Sequence, residues 1–344
     1  MENQTRPGQK TPIKTAVITG AGGFVGRALV HRLSQSGVLV RALVHHEPSS
    51  AIFPAGVKTF VGDVRDVELM KRCTEGAEAV FHFAAKVPKD GSPQDEADVS
   101  DVSVNGTRNV LDAALKARAE SFMFLSSLSI HGRPASGVCD ESTPIAPLSA
   151  YGRAKAAAEQ MVLEAGRHAS IRVTCLRPPM VYGLGCAGSL PRMIKRVAQG
   201  RIVPMPRSSG RRIVLHVQNL VDACILAAKD RRATGQCYVV ADPRAYSVRD
   251  MFELICNSTD RYYPSWEVPM WLLKAGARAG DAARKLSGRR VLLDSERLQD
   301  LVGSSEFSTE KICRELGYQP RFSLEEELPR IVRDVLGDLS RSAA

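Results

Sequence analysis

Three side chains in the middle of this chain could together move a proton: Ser127, Tyr151 and Lys155. Tyr151 and Lys155 stand four apart in YGRAKAAAEQMVLEA, a strong helix former, so both fall on one helix face and can point together into a cleft. A free tyrosine has a pKa of about 10, and a nearby ammonium favours the phenolate. Lowering that pKa by about three units takes roughly 4 kcal/mol of differential interaction and gives a usable general acid or base. Ser127 ends the apolar run SFMFLSS and can share a hydrogen bond with the same carbonyl or hydroxyl oxygen. A Y-x-x-x-K pair also arises by chance in helices; the serine-terminated strand ahead of it sets this one apart.

The elements that must position these residues begin near the N-terminus. VITG is an apolar strand running into Gly20, Gly23 and Gly26, and the helix FVGRALVHRLSQSG opens inside that glycine run with Phe24 and Val25 in its first turn. Bare backbone at a positive helix end can approach a pyrophosphate, although glycine-rich turns also serve packing. In GDVRD, Asp63 follows the third strand, where a carboxylate can accept an adenine amino group and Val64 offers backbone groups and an apolar face; a turn aspartate suits the same context. The second strand ends as VRALVHHEP and lacks the acid that accepts the ribose hydroxyls of NAD. Arg41, His45 and His46 could instead meet a 2′-phosphate, which favours NADP over NAD.

Short apolar runs (KTAVITG, VLVRALV, VKTFVG, AEAVFHFAA, SFMFLSS, IRVTCLRP) alternate with helical patterns, which predicts βαβ units and a parallel sheet buried on both faces. The fold class is therefore α/β, a doubly wound, Rossmann-type parallel sheet with a smaller α/β C-terminal substrate lobe. The dinucleotide domain with the catalytic residues is expected over 13–178 and the lobe over 179–337. Some of the latter, such as 211–230, could return to the main sheet. Residues 1–12 and 338–344 are expected to be flexible.

At 344 residues, 44% hydrophobic and 24% charged, the composition is that of an ordinary globular chain. No run approaches the eighteen or so apolar residues of a membrane span, and no secretory core precedes the first strand, so a cytoplasmic protein is expected. Eight cysteines lie far apart without a C-x-x-C pair, which argues against a disulfide framework or metal site. The net charge of +10 suits either nucleic acid or small anions; without a nucleic-acid-binding signature, an anionic substrate and cofactor are the expected partners.

Taken in order, TGAGGFVG, GDVRD, VFHFAA, VNGTRNVLDAA, FLSSLSIHG, YGRAK and RPPMVYG resemble the extended short-chain dehydrogenases/reductases, the NAD(P)-dependent epimerase/dehydratase family, over about residues 13 to 335. The resemblance implies Ser127, Tyr151 and Lys155 as catalytic triad, Gly20, Gly23 and Gly26 as phosphate turn, and Asp63 with Val64 as adenine contact. It also implies Ala84 and Ala85 as lining of the cofactor, Lys155 reaching the nicotinamide ribose, and Pro178 beside the nicotinamide. RRIVLHVQNL is similar to a family segment whose arginine contacts a substrate diphosphate, which marks Arg212; a guanidinium forks onto phosphate oxygens and keeps its charge. Lys86 and Asn105 stand where the family often has cleft residues.

Departures concern the substrate. His131 replaces a common tyrosine, Pro179 and Met180 stand where an asparagine often precedes V-Y-G, and no R-x-G-D occurs near residue 290. RPPMVYG and LGYQPRFSLEEEL look closer to enzymes that reduce 4-keto-6-deoxy nucleotide sugars. The expected activity is hydride transfer at the 4-position of a nucleotide-diphosphate sugar with a lean to keto reduction. The alternatives are a 4-epimerase, a hydroxysteroid- or flavonol-type reductase, and a non-catalytic dinucleotide sensor. WEVPMWLLKAGARAGDAARKLSG could form a lid or touch a membrane. The family implies a homodimer through helices beginning near Val99 and Ala150.

Overall fold

The computed structural model describes residues 11–47, 52–88, 92–133, 137–202, 204–206, 210–287, 293–295, 298–299, 303 and 306–342. The strands are β1 (Thr15–Thr19), β2 (Leu39–Val44), β3 (Lys58–Val61), β4 (Ala79–His82), β5 (Ser121–Leu125), β6 (Val138–Cys139), β7 (Arg172–Arg177), β8 (Met180–Tyr182), β9 (Arg211–His216), β10 (Gln236–Val239), β11 (Ala245–Ser247) and β12 (Glu306–Phe307). The α-helices are α1 (Phe24–Gln35), α2 (Val67–Thr74), α3 (Pro93–Ser100), α4 (Gly106–Lys116), α5 (Ala150–His168), α6 (Ser189–Ala198), α7 (Val217–Lys229), α8 (Val248–Ser258), α9 (Met270–Ser287), α10 (Glu310–Leu316) and α11 (Leu324–Ser342).

Seven strands form one parallel sheet in the order β10-β7-β5-β4-β1-β2-β3. The chain winds outward from β1 to β3, then crosses back to β4 and onward, so the order reverses between β1 and β4 and opens a crevice at their carboxyl ends. Burial on both faces explains the unbroken apolar runs: Ala16, Val17, Ile18, Phe81, Phe122 and Phe124 are all essentially inaccessible. Each such large side chain contributes about 1.5–3 kcal/mol. One core packs α1 and α7 on one face; the other packs α2, α4 and α5 on the opposite face.

The second lobe has its own core, where Tyr182, Ile194, Val214, Tyr246, Ile255 and Ile331 pack α6, α8 and α11 on the small β11-β9-β8 sheet. Of the segment 211–230, the strand stays with this small sheet while the helix α7 packs on the main one. The strand that does return is β10, paired in parallel with β7 from Gln236↔Thr174 to Val239↔Arg177. The tail expected from 338 continues as helix to Ser342. Residues 1–10, 343 and 344 lie outside the described residues.

Candidate active site

The glycine turn is shaped by what a side chain would strike. A Cβ on Gly20, where φ is +68°, would lie 2.7 Å from the Ala84 nitrogen, and one on Gly26 would lie 2.2 Å from the Gly20 oxygen. Only glycine lets β1, the end of β4 and the start of α1 come this close. Gly23 caps α1, donates its own N–H to the Gly20 carbonyl (3.0 Å) and accepts from Arg27 N–H (2.9 Å). The N–H groups of Phe24, Val25 and Gly26 therefore have no intrahelical acceptor and sit at the positive helix end. Such a turn fits a dinucleotide pyrophosphate.

Beneath the turn runs a buried polar chain. Ala84 N–H donates to Thr19 Oγ1 (3.2 Å), which bonds His82 Nδ1 (2.6 Å); His82 Nε2 bonds Thr107 Oγ1 (2.8 Å), which donates to the Ser103 carbonyl (2.6 Å). The Thr107 end requires a proton on His82 Nε2, and in the neutral ring Nδ1 then accepts from Thr19 Oγ1. Burial agrees, pushing the His82 pKa down to about 3. Ser103 lies in a π turn, Asp101–Asn105, between α3 and α4. His82, Thr19 and Thr107 were not singled out in the sequence, where the histidine reads as one more residue of a buried strand.

Lys155 and Tyr151 come together at the carboxyl end of β5. Lys155 Nζ donates to the Leu125 carbonyl (2.6 Å) and lies 4.7 Å from the Phe124 ring centre and 5.9 Å from that of Tyr151. The α5 helix starts at a Ser149 cap whose Oγ accepts from Gly152 N–H (3.1 Å). A Cβ on Gly152 would be 2.7 Å from the Ser129 oxygen, so this glycine sets how closely the helix approaches the serine turn. A glycine inside a helix costs about 1 kcal/mol against alanine, which is the signal in YGRAK that could have revealed it. Glu159 on α5 is bound by Arg177 of β7 (Nη2–Oε1 2.6 Å), both nearly inaccessible, which fixes the helix to the sheet.

The electrostatics differ from the expectation of an acidified phenol. Burial pushes Tyr151 up to about 12 and Lys155 down to about 8. The ammonium gives one hydrogen bond to the Leu125 carbonyl and faces the Phe124 ring, and desolvation governs the phenol. Ser127 Oγ accepts from Ser129 N–H (3.1 Å) at the head of the 3-10 turn Leu128–His131, while the hydroxyl of the neighbouring Ser126 is buried without a partner. Leu128 N–H donates to the Pro178 carbonyl (3.0 Å), bringing the end of β7 beside the serine turn.

The other candidates are placed unevenly. Asp63 is gripped by Arg65 (Nη2–Oδ2 2.8 Å, Nε–Oδ1 3.0 Å), which holds its carboxyl below the usual range, and His45 lies 3.4 Å away. Arg65 also reaches Asp101 at 2.9 Å, tying the strand-three turn to the π turn. Val64 is buried against Gly106, where a Cβ would stand 2.5 Å from it. Ala84 and Ala85 follow β4 directly. His45 and His46 bond each other at 2.9 Å. Arg41 does not reach a cofactor edge: its guanidinium donates to the Cys73 (2.9 Å) and Glu75 carbonyls at the end of α2. The Lys86 ammonium is held by Asp98 (2.6 Å) and Asp95 (3.7 Å) of α3, and Asn105 donates to Asp101 (2.7 Å). Arg212 is half-buried on β9. His216 stacks on Phe322 at 4.6 Å.

Two residues unnoticed in the sequence organise the junction of the lobes. Asp242 accepts from Tyr182 Oη (2.6 Å), His216 N–H (3.1 Å) and Asn219 Nδ2 (2.7 Å). Asn219 also exchanges hydrogen bonds with the Phe322 backbone (2.8 and 3.1 Å). A cavity of about 600 Å³ opens beside this junction between Phe24, Arg27, His31, Leu184, His216 and Arg330; Ser127, Tyr151 and Lys155 do not line it. Among the described residues one trio of metal-ligand type meets, Glu159, Cys175 and Cys237, and its carboxylate is already bound to Arg177.

Fold, glycine turn and the Tyr151/Lys155 pair define an NAD(P)-dependent enzyme of the extended short-chain dehydrogenase/reductase type. The family model described as NAD dependent epimerase/dehydratase matches residues 16–241, and the chain belongs to that family. It is 30% identical over 342 residues to short-chain dehydrogenase/reductase family 42E member 1 of Mus musculus, covering 92% of this chain and 86% of that protein. It is 27% identical over 332 residues to UDP-glucose 4-epimerase of Vibrio cholerae, covering 93% and 94%. The crystal structure of the Thermotoga maritima UDP-glucose 4-epimerase with UDP-glucose has the same fold, with a TM-score of 0.77 at 22% identity over 94% of this chain and 99% of that one.

Proposed function

We propose that this enzyme reduces the 4-keto group of a nucleotide-diphosphate sugar, with Tyr151 giving the proton. The observation that carries the reading is the placement of Tyr151 beside Lys155 at the carboxyl end of β5, where a phenol that is protonated at neutral pH can give its proton to a carbonyl oxygen. A bound nicotinamide supplies the hydride. Lys155, with one N–H on Leu125, has two more for the dinucleotide ribose. Ser127 accepts from Ser129 and keeps its own proton for the substrate oxygen. Arg212 is the proposed diphosphate contact, and the proposed dinucleotide contacts are Gly20, Gly23, Phe24, Val25, Gly26, His45, Asp63, Val64, Ala84, Ala85 and Pro178. Two imidazoles and no carboxylate directly after β2 support NADP as the preferred form. The helices α4 and α5, packed side by side on one face of the sheet, are the proposed homodimer surface.

A 4-epimerase is the second reading, favoured by the near full-length match to the Vibrio cholerae enzyme. One experiment separates them. The purified protein is assayed for retained dinucleotide by mass, then given NADPH with a dTDP-4-keto-6-deoxy sugar, and separately UDP-glucose alone. Oxidation of NADPH supports the reductase; interconversion of UDP-sugars without net absorbance change supports the epimerase; neither activity overturns both.

A further inference from the structure

Both tryptophans of the chain lie outside its cores. Trp266 and Trp271 are 63% and 69% exposed, and Tyr262 and Leu272 are 79% and 48% exposed, so four large exposed side chains fall between residues 262 and 272. The other large exposed apolar residues are scattered singly or in pairs, as on any protein surface.

The helix α9 organises this patch. Its inward side is settled by contacts: Ala277 is buried, Asp281 accepts from Ser295 N–H (3.1 Å) and Oγ (2.5 Å), and Arg284 pairs with Asp294 at 3.2 Å. The outward side carries two strips at helical spacing. Trp271, Ala275, Ala279 and Ala282 form an exposed apolar strip with Leu272 at its margin, and Lys274, Arg278 and Lys285, all exposed, form a cationic strip directly beside it. The one carboxylate of α9, Asp281, is bonded to Ser295 and lies near Arg284 and Lys285, so it offsets part of the positive charge and leaves the helix net cationic. No helix among the described residues is long and apolar enough to cross a membrane.

We propose that α9 and the loop before it bind the surface of an anionic lipid bilayer, lying in the headgroup layer with Trp266 and Trp271 inserted. Aromatic side chains with a polar edge favour that depth, and lysine and arginine extend their charge to lipid phosphates while their stems stay in apolar surroundings. The alanine strip that continues from Trp271 is shallow and without hydrogen-bonding groups, which suits lipid better than a protein partner's knobs. The inner side of the helix meets 293–295. Gln299 Oε1 accepts from Arg133 Nη1 (3.1 Å), two residues past His131. The inference does not depend on the sugar substrate.

The test is sedimentation of the full chain with vesicles of pure phosphatidylcholine and of phosphatidylcholine with about 30% phosphatidylglycerol, together with quenching of tryptophan emission by brominated lipid. Each cation near an anionic surface strengthens binding by about fivefold, so three give about a hundredfold preference for the anionic vesicles, lost in about 0.5 M salt. A Lys274→Glu/Arg278→Glu/Lys285→Glu variant should lose that preference. Trp266→Ala/Trp271→Ala should lose partition and quenching, both variants keeping the circular dichroism of the parent. No sedimentation with anionic vesicles, or binding indifferent to both variants, overturns the proposal. So does a patch that proves to be a contact between copies, seen as tryptophan substitutions that dissociate an oligomer while vesicle binding persists.

Discussion

The two halves of the molecule are held in place by different means. Around β1, β4 and α1, position is set by the absence of side chains: Gly20, Gly26 and Gly152 each bring backbone atoms to within 2.7 Å or less of where a Cβ would be. At the lobe junction, position is set by side chains that reach across the chain, with Asn219 bridging to Phe322 over 103 residues and Asp242 gathering Tyr182, His216 and Asn219. A site built on backbone contact tolerates almost no substitution, whereas one built on a polar hub loses its parts one hydrogen bond at a time.

The sharpest test of the first half is Tyr151→Phe, which should lower kcat by about 10³-fold while leaving the dissociation constant for the dinucleotide, measured by fluorescence titration, close to that of the parent. A fall of less than tenfold would move the proton donor elsewhere. Gly26→Ala should weaken dinucleotide binding by about a hundredfold and cost about 3 kcal/mol in denaturant unfolding, because the Gly20 oxygen sits 2.2 Å from the new methyl. Gly276→Ala, in the lobe helix α9, makes the contrast: among the described residues its Cβ meets only Leu293, at 3.7 Å, so helix propensity should raise stability by about 0.5–1 kcal/mol.

Acidity gives a tenfold effect. Burial lowers Lys155 to about 8, so its ammonium is present below that pH and lost above it. The kcat/KM of reduction should fall about tenfold for each pH unit above about 8, in a profile measured at fixed NADPH. Stability moves the other way: between pH 8 and the ordinary lysine pKa the unfolded chain binds the extra proton, so burial of this side chain costs less as pH rises. The smallest expected effect on activity is at the hub. Asn219→Ala leaves the Asp242 carboxylate and the Phe322 carbonyl each short of a donor and should cost about 2 kcal/mol. The KM for substrate should rise severalfold and that for NADPH stay unchanged, since the hub joins the lobe and not the glycine turn.

The same contrast explains what could be read from sequence. The parallel strands and the glycine turn are local patterns, since burial on both faces and a strand entering a helix leave marks within a few residues. The chain's extent in the main sheet was less legible, because β10 is a four-residue strand whose partner β7 lies some sixty residues earlier. The acidity of Tyr151 is illegible in the sequence for a related reason: helical spacing brings Lys155 near, but its hydrogen bond to Leu125 and the burial that governs both groups arise only on packing. Arg41 was misread because strand alternation gives a side and not a height, and its guanidinium meets the end of α2 instead. Lys86 looked available until α3 brought Asp95 and Asp98 to it.

The late arrival of β10 also bears on how the chain is made. The edge of β7 has no neighbour until synthesis has passed through β8, α6, β9 and α7 and delivered Gln236–Val239. At about 5–20 residues per second, a nascent chain carries an open, apolar sheet edge for several seconds. That interval is when a ribosome-associated chaperone would have most to shield, and a polypeptide terminated at Pro178 would keep the edge permanently, ready to pair with another of its kind.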